Sequence, residues 1–229
     1  MNLRSIKDAI FPRTCLCCGG RLMPTERHVC LGCVAGMARP SPHTDPRDSR
    51  LARRFWDIFP VESVAVAFQY VPDDMAHSII LRMKYSHPDA ELCRYAGQLM
   101  ALEDVPARIL AEGEVLLPVP VTPSRRKKRG FNQSEELCLG ISEVTGLPIV
   151  TDVFTRREYA VSQASTAHHR KTGNDSGFLL GDIGCLTDRH VVLIDDIITT
   201  GATVRACLET LRDIPGIRIS VLAFCQTQR

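Results

Sequence analysis

Residues 191 to 203 read VVLIDDIITTGAT, and no other stretch limits the possible folds of the chain so tightly. Four apolar residues run directly into two adjacent carboxylates, Asp195 and Asp196, and a small hydroxyl-rich turn follows: Thr199, Thr200, Gly201, Ala202 and Thr203. An apolar run without polar alternation suits a strand covered on both faces, as in a parallel sheet. Both acids then stand at the strand's carboxyl end, where open α/β sheets gather their ligands. The turn leads into a helix that starts near Thr203, so its free N–H groups and the helix dipole make a seat for an anion, with threonine hydroxyls as further donors. Gly201 lets the backbone approach closely. Carboxylates repel a phosphate unless they serve another part of the same ligand. Sugar hydroxyls and a Mg²⁺ shell are what they suit.

The flanking sequence fits such a sheet. SVAVAFQYV reads as a strand, followed by amphipathic stretches over about 74–85 and 90–102. EVLLPVPV, LPIVTDVF and RISVLAFC read as further strands, and NQSEELCLGISEVTG as a helix closed by Gly146. This alternation predicts an α/β domain with a central parallel sheet flanked by helices. At 229 residues the chain has room for one such domain and a small appendage. The basic run from Arg125 to Arg129 falls in what reads as a turn after a strand. There, arginines suit a pyrophosphate and equally suit a nucleic-acid backbone.

The appendage is written in cysteines. Cys15, Cys18, Cys30 and Cys33 make two CxxC turns separated by eleven residues, with Cys17 as a spare. Two such turns supply the four-thiolate set that Zn²⁺ prefers, and Gly19, Gly20 and Gly32 suit tight knuckles. A segment so short has little core of its own, so the metal would supply much of its folding energy. The remaining five cysteines, Cys93, Cys138, Cys185, Cys207 and Cys225, sit in apolar contexts and read as space-filling. ARPSPHTDPRDSRLARRF has the Pro, Ser and charge content of a linker. The expected organisation is a zinc module over 1–40, a linker over 41–60 and the α/β domain over 61–229. The first 60 residues carry ten Lys and Arg against five Asp and Glu, a bias that suits nucleic acid as well as it suits a solvated face. Lys7 and Asp8 interrupt what would be the apolar core of a signal peptide, and no stretch approaches the ~18 apolar residues of a membrane span. The expected location is therefore cytoplasmic.

With these features in view, VVLIDDIITTGAT closely resembles the PRPP-binding motif of type I phosphoribosyltransferases. The resemblance implies that Asp195 and Asp196 contact the ribose 2- and 3-hydroxyls and that the 199–203 loop takes the 5-phosphate. Other stretches resemble the ComF subgroup. PVP followed by RGFNQ, here Arg129, Gly130, Phe131, Asn132 and Gln133, lies in LLPVPVTPSRRKKRGFNQSEELC, and implies a pyrophosphate site involving Arg125 and Arg129. In VSQASTAHHRKTGNDSGF, Gln163, Arg170, Asn174 and Phe178 match a glutamine, arginine, asparagine and phenylalanine pattern. That segment reads as a mobile loop of the kind related transferases close over the site, and its His168 and His169 read as exposed. Lys84 and Tyr85 match a Lys-aromatic signature. The family implies a type I phosphoribosyltransferase fold joined to an N-terminal zinc ribbon, structural Zn²⁺, Mg²⁺ bound with PRPP, and a role in natural competence.

Two functional readings follow. In the first, a PRPP-binding competence protein handles incoming single-stranded DNA together with cytoplasmic DNA-uptake proteins. In the second, a phosphoribosyltransferase acts on a small nucleophile and the ribbon is purely structural. Carboxylates beside C1 of PRPP suit the positive charge that develops during transfer, so Asp195 and Asp196 are also the candidate catalytic residues. The base for an acceptor is not evident. The 6-oxopurine salvage enzymes place an Asp immediately before Thr-Gly, where this chain has the neutral Thr199, which disfavours hypoxanthine or guanine as acceptor.

Overall fold

The computed structural model describes residues 12–72, 74–84, 89–156 and 178–227. In chain order the elements are α1 (Leu31–Ala35), a 3-10 turn (Ala52–Arg54), β1 (Ser63–Tyr70), α2 (Met75–Lys84), α3 (Ala90–Leu102), α4 (Asp104–Glu112), β2 (Val115–Pro118), α5 (Pro123–Arg129), α6 (Gln133–Thr145), β3 (Phe154–Arg156), β4 (Phe178–Leu180), a 3-10 turn (Gly184–Leu186), β5 (His190–Ile198), α7 (Ala202–Leu211) and β6 (Arg218–Thr227). The β-branched strands β1, β6, β5 and β2 form one sheet in that spatial order, every pair parallel. This is the α/β class expected from the alternation. The carboxyl ends of all four strands share one edge.

Each face of the sheet buries its own core. On one face Phe68, Leu116, Val192, Ile194 and Phe224 pack against Ile79 and Met83 of α2, Leu92 and Met100 of α3, and Leu137 and Ile141 of α6. Each fully buried side chain of this size contributes about 1.5–3 kcal/mol. Helices α3 and α6 cross at backbone contact. A Cβ on Gly97 would lie 2.1 Å from the Leu137 carbonyl oxygen, and one on Gly140 would lie 1.8 Å from that of Arg94. On the opposite face Val204, Cys207, Leu208 and Leu211 of α7 cover Val64, Val66, Leu117, Val191 and Leu193.

Two local expectations need correction. LPIVTDVF makes only a single parallel bridge, Ile149 to Leu116, before turning into the antiparallel β3–β4 pair. Pro148 has no N–H for a ladder and offers only its carbonyl, to Leu116 N at 2.8 Å. The basic run is a helix and not a turn. Thr122 caps it by accepting from Arg125 N, a proline sits in its first turn, and Gly130 ends it at φ 87°. Helix α4, with its proline at N3, was not anticipated.

Residues 41–60, expected as a linker, lie packed on the domain. Leu51, Ala52, Phe55 and Phe59 enter the α7-side core, Val64 N donates to Pro46 O at 2.8 Å, and Ala52 N to the buried Ser49 hydroxyl at 3.0 Å. Composition hid this, because four apolar residues among prolines and charges are enough to anchor a segment. The cysteine module is seated likewise. Cys15, Leu22, Val29, Cys33 and Met37 share the core of α2 and α3.

Candidate functional site

The sulfurs of Cys15, Cys18, Cys30 and Cys33 all lie within 4.8 Å of one another, and Cys18 and Cys30 are 3.8 Å apart. Four thiolates about 2.3 Å from a tetrahedral Zn²⁺ are separated by ~3.8 Å, so the set fits that ion. The knuckles turn backbone N–H groups onto sulfur, with Cys17 N and Cys30 N donating to Cys15 Sγ at 3.4 and 3.3 Å and Gly20 N to Cys18 Sγ at 3.4 Å. Burial pushes the Cys15 thiol up, but the N–H groups of Cys18, Cys30 and Cys17 more than offset this and bring it down to about 6. Burial and the neighbouring Cys15 sulfur push the spare Cys17 up to about 12. Glu26 ties the knuckles together, accepting from Leu31 N at 2.7 Å and Met23 N at 2.6 Å. Those two donors hold its carboxyl below the usual range.

The acids stand where the apolar run predicts, at the carboxyl end of β5. Asp196 is buried and Asp195 half-buried, and Asp195 Oδ1 accepts from Asp196 N at 2.9 Å. Lys84, the last residue of α2, reaches Asp196 Oδ1 at 2.9 Å. Helix α2 starts from the end of β1 and finishes over β5, so it crosses the carboxyl edge of the sheet and delivers a cation to the acids. Burial, and next the Asp196 carboxylate, raise the thiols of Cys93 and Cys225. Both are packing residues.

The 199–203 loop turns into α7 through Gly201, at φ 79° and with no side-chain cap. Thr199, Thr200 and Ala202 are exposed, Thr203 is half-buried, and Ala202 N donates to Thr200 Oγ1 at 3.3 Å. The loop is braced by the segment that composition marked as a linker. Arg54 donates to the carbonyls of Thr199 at 3.1 Å and Thr200 at 2.5 Å. Arg205 of α7 donates to Arg54 O at 2.6 Å and grips Asp57 through two bonds of 3.1 and 2.6 Å. That grip holds the Asp57 carboxyl below its usual range. The Phe55 ring would stand 3.1 Å from a Cβ on residue 201. Sequence reading missed Arg54, Phe55 and Arg205, and the run of arginines from Arg50 to Arg54 was the only hint.

The second loop leaves β2 beside the acids, since Pro118 pairs with Ile194 and Val119 N donates to Ile194 O at 2.9 Å. The basic run and the RGFNQ residues that follow it divide between exposure and structure. Arg125, Lys127 and Lys128 project from α5 and make no ion pair among the described residues. Arg129 instead donates to Gln133 Oε1 at 2.9 Å, and Gln133 Nε2 donates to Met83 O at 3.2 Å. Asn132 caps α6 by accepting from Ser134 N and donates to Val119 O at 3.1 Å. The motif thus links the β2 exit to the end of α2 that carries Lys84. Gln163, Arg170, Asn174, Tyr85, His168 and His169 lie outside the described residues, whereas Phe178 packs its ring against Phe154 at 5.4 Å.

Comparison with known proteins finds relatives named as competence and DNA utilization proteins. No family model matches the chain. It is similar to the DNA utilization protein YhgH of Shigella flexneri, 29% identical over 153 residues, which are 65% of this chain and 66% of that protein. It is also similar to the competence protein ComFC of Streptococcus pneumoniae, 33% identical over 95 residues, covering 42% of this chain and 40% of that one. Among solved structures, an allosteric regulatory enzyme of purine biosynthesis aligns over 64% of this chain and 30% of its own, at 18% identity and a TM-score of 0.46. These relatives carry the names of competence and DNA utilization proteins, and the chain spans just under two thirds of the length of the first of them.

Proposed function

We propose that this protein binds PRPP at the carboxyl end of β5 and acts in the cytoplasm on incoming single-stranded DNA during DNA uptake. One observation carries the PRPP reading: Asp195, Asp196 and the 199–203 loop sit together at one sheet edge, flanked by Lys84 and by the Arg54 brace. The loop's N–H groups and the hydroxyls of Thr199, Thr200 and Thr203 hold the 5-phosphate at the start of α7. The carboxylates of Asp195 and Asp196 accept from the ribose 2- and 3-hydroxyls. Arg125 and its exposed neighbours on α5 receive the pyrophosphate, and Arg129, held by Gln133, positions that helix. Carboxylate oxygens of Asp195 and Asp196 suit Mg²⁺, directly or through water, and the ion would neutralise pyrophosphate charge. Gln163, Arg170 and Asn174 belong to the covering loop in this reading. Cys15, Cys18, Cys30 and Cys33 hold a structural Zn²⁺. The DNA side rests on the relatives' names, DNA utilization and competence, and on the basic bias of the N-terminal region.

A second reading, phosphoribosyl transfer to a small nucleophile, is favoured by a cleft of about 610 Å³ at the ends of β1 and β6. Gln69, Gln226, Thr227 and Arg50 line it, and it shares Arg54 with the phosphate loop. In that case Asp195 and Asp196 stabilise the charge developing at C1.

Equilibrium binding separates the two. Calorimetric titration with PRPP and Mg²⁺ should show binding that Asp195→Asn with Asp196→Asn weakens while zinc content holds; unchanged affinity would refute the site. Labelled oligonucleotide should bind more weakly at higher salt, and no binding at low salt would leave only the small-nucleophile reading.

A further inference from the structure

We infer that Trp56, with the Arg53 guanidinium over one face of its ring and Arg50 and Arg54 on the same segment, offers its other face as a base-stacking platform for single-stranded nucleic acid next to the 199–203 loop. The inference rests on the DNA reading above and adds the surface that performs it.

The segment around Trp56 is sorted by packing. Ala52, Phe55 and Phe59 face inward at 0%, 0% and 7% exposure, while the chain's single tryptophan stays 47% exposed. The core is complete without that ring, which leaves nearly half of the side chain open to a ligand. The Arg53 guanidinium stands 5.9 Å from the ring centroid. Asp48 fixes that guanidinium through bonds of 2.9 and 3.0 Å.

Charge around the ring favours an anionic chain. Arg53 is matched by Asp48, Arg47 by Glu112 and Asp57 by Arg205. Arg50 makes no ion pair among the described residues, and Arg54 spends its guanidinium on two carbonyls, so positive charge is left over. Arg50 and Arg54 both line the cleft at the carboxyl ends of β1 and β6. Sequence-independent binders of single strands combine these elements, an aromatic face for a base and a positively charged groove for the backbone. A protein partner would call for an apolar surround, whereas the residues flanking Trp56 on the surface are Arg53, Arg54 and Asp57. The Arg54 bonds to Thr199 and Thr200 put the platform in direct contact with the phosphate loop.

Because Trp56 is the only tryptophan, its emission reports on the platform alone. The zinc-loaded full chain is titrated with oligothymidylate, reading tryptophan emission, while anisotropy of a dye-labelled oligonucleotide reports binding wherever it occurs. Emission should be quenched and saturate at the concentration at which anisotropy saturates. Trp56→Ala should weaken binding about 5- to 10-fold, at the lower end of the range for base–aromatic stacking. Trp56→Phe should recover most of the affinity, and neither variant should change zinc content or PRPP affinity. If anisotropy shows binding while emission stays flat and Trp56→Ala binds as tightly as the parent, the platform is refuted and the DNA reading stands. If no oligonucleotide binds in either measurement, both fall.

Discussion

Removing either member of the Lys84–Asp196 pair strands the other charge in a place with little access to water. The two side chains are 17% and 12% exposed and 2.9 Å apart. Breaking a buried pair from one side costs about 3–5 kcal/mol, because the surviving charge is uncompensated. The remaining exposure lets water recover part of that, which sets the expectation at ~2–4 kcal/mol for Lys84→Met or Asp196→Asn alone. In a chain of this size each kcal/mol shifts the melting temperature by about 2–4 °C, so a fall of ~4–16 °C should follow either change. The double variant leaves neither charge unpaired and should lose much less than the sum. Urea unfolding of the four proteins, with zinc present throughout, measures the coupling. Effects that add within about 0.5 kcal/mol would show that the pair does not interact in solution and would refute the reasoning.

Gly201→Ala places a Cβ at φ 79° and 3.1 Å from the buried Phe55 ring. The left-handed conformation alone costs about 1–2 kcal/mol, so the variant should melt several degrees lower and bind PRPP more weakly in calorimetry. Gly140→Ala drives a methyl to 1.8 Å from the Arg94 carbonyl. Parting α3 and α6 should cost ~3 kcal/mol or more in urea unfolding while zinc content is retained. A strong chelator should release one zinc per chain and lower the melting temperature, since Leu22, Val29 and Met37 pack into the main core; colorimetric zinc counting and calorimetry check this. Glu26 has its carboxyl lowered from 4.5 by two backbone donors. It therefore contributes stability above that pH, lost as pH falls through its folded value. Glu26→Gln should flatten that acid limb in zinc-release measurements as the pH falls below about 4.5.

The parts of the site that are continuous in sequence were legible before the fold. The apolar run ending in Asp195 and Asp196 fixes its own strand, and the two CxxC turns bring their sulfurs together because each turn is short. Parts that depend on long-range packing were not. Arg54 meets Thr199 and Thr200 only because Leu51, Ala52 and Phe55 are drawn beneath α7, a placement that Pro and charge content concealed. Lys84 appeared as a motif residue, but its reach to Asp196 depends on how α2 crosses the sheet edge. Arg129 illustrates the same limit, since its lone sequence context suits an anion while Gln133 takes up one of its donors.

By itself, the sequence determined the alternation of strands and helices, the order of the turns at the sheet edge and the cysteine set, because each depends on period and spacing within a few residues. The tertiary structure alone decided what surrounds them. Burial of a few apolar side chains in 41–60 carried Arg54 to the 199–203 loop and left Trp56 facing water. Backbone contact at Gly97 and Gly140 locked together the helices that flank the acids. Such outcomes turn on which surfaces meet across the sheet, and pairings between distant segments leave no period in the chain to be read.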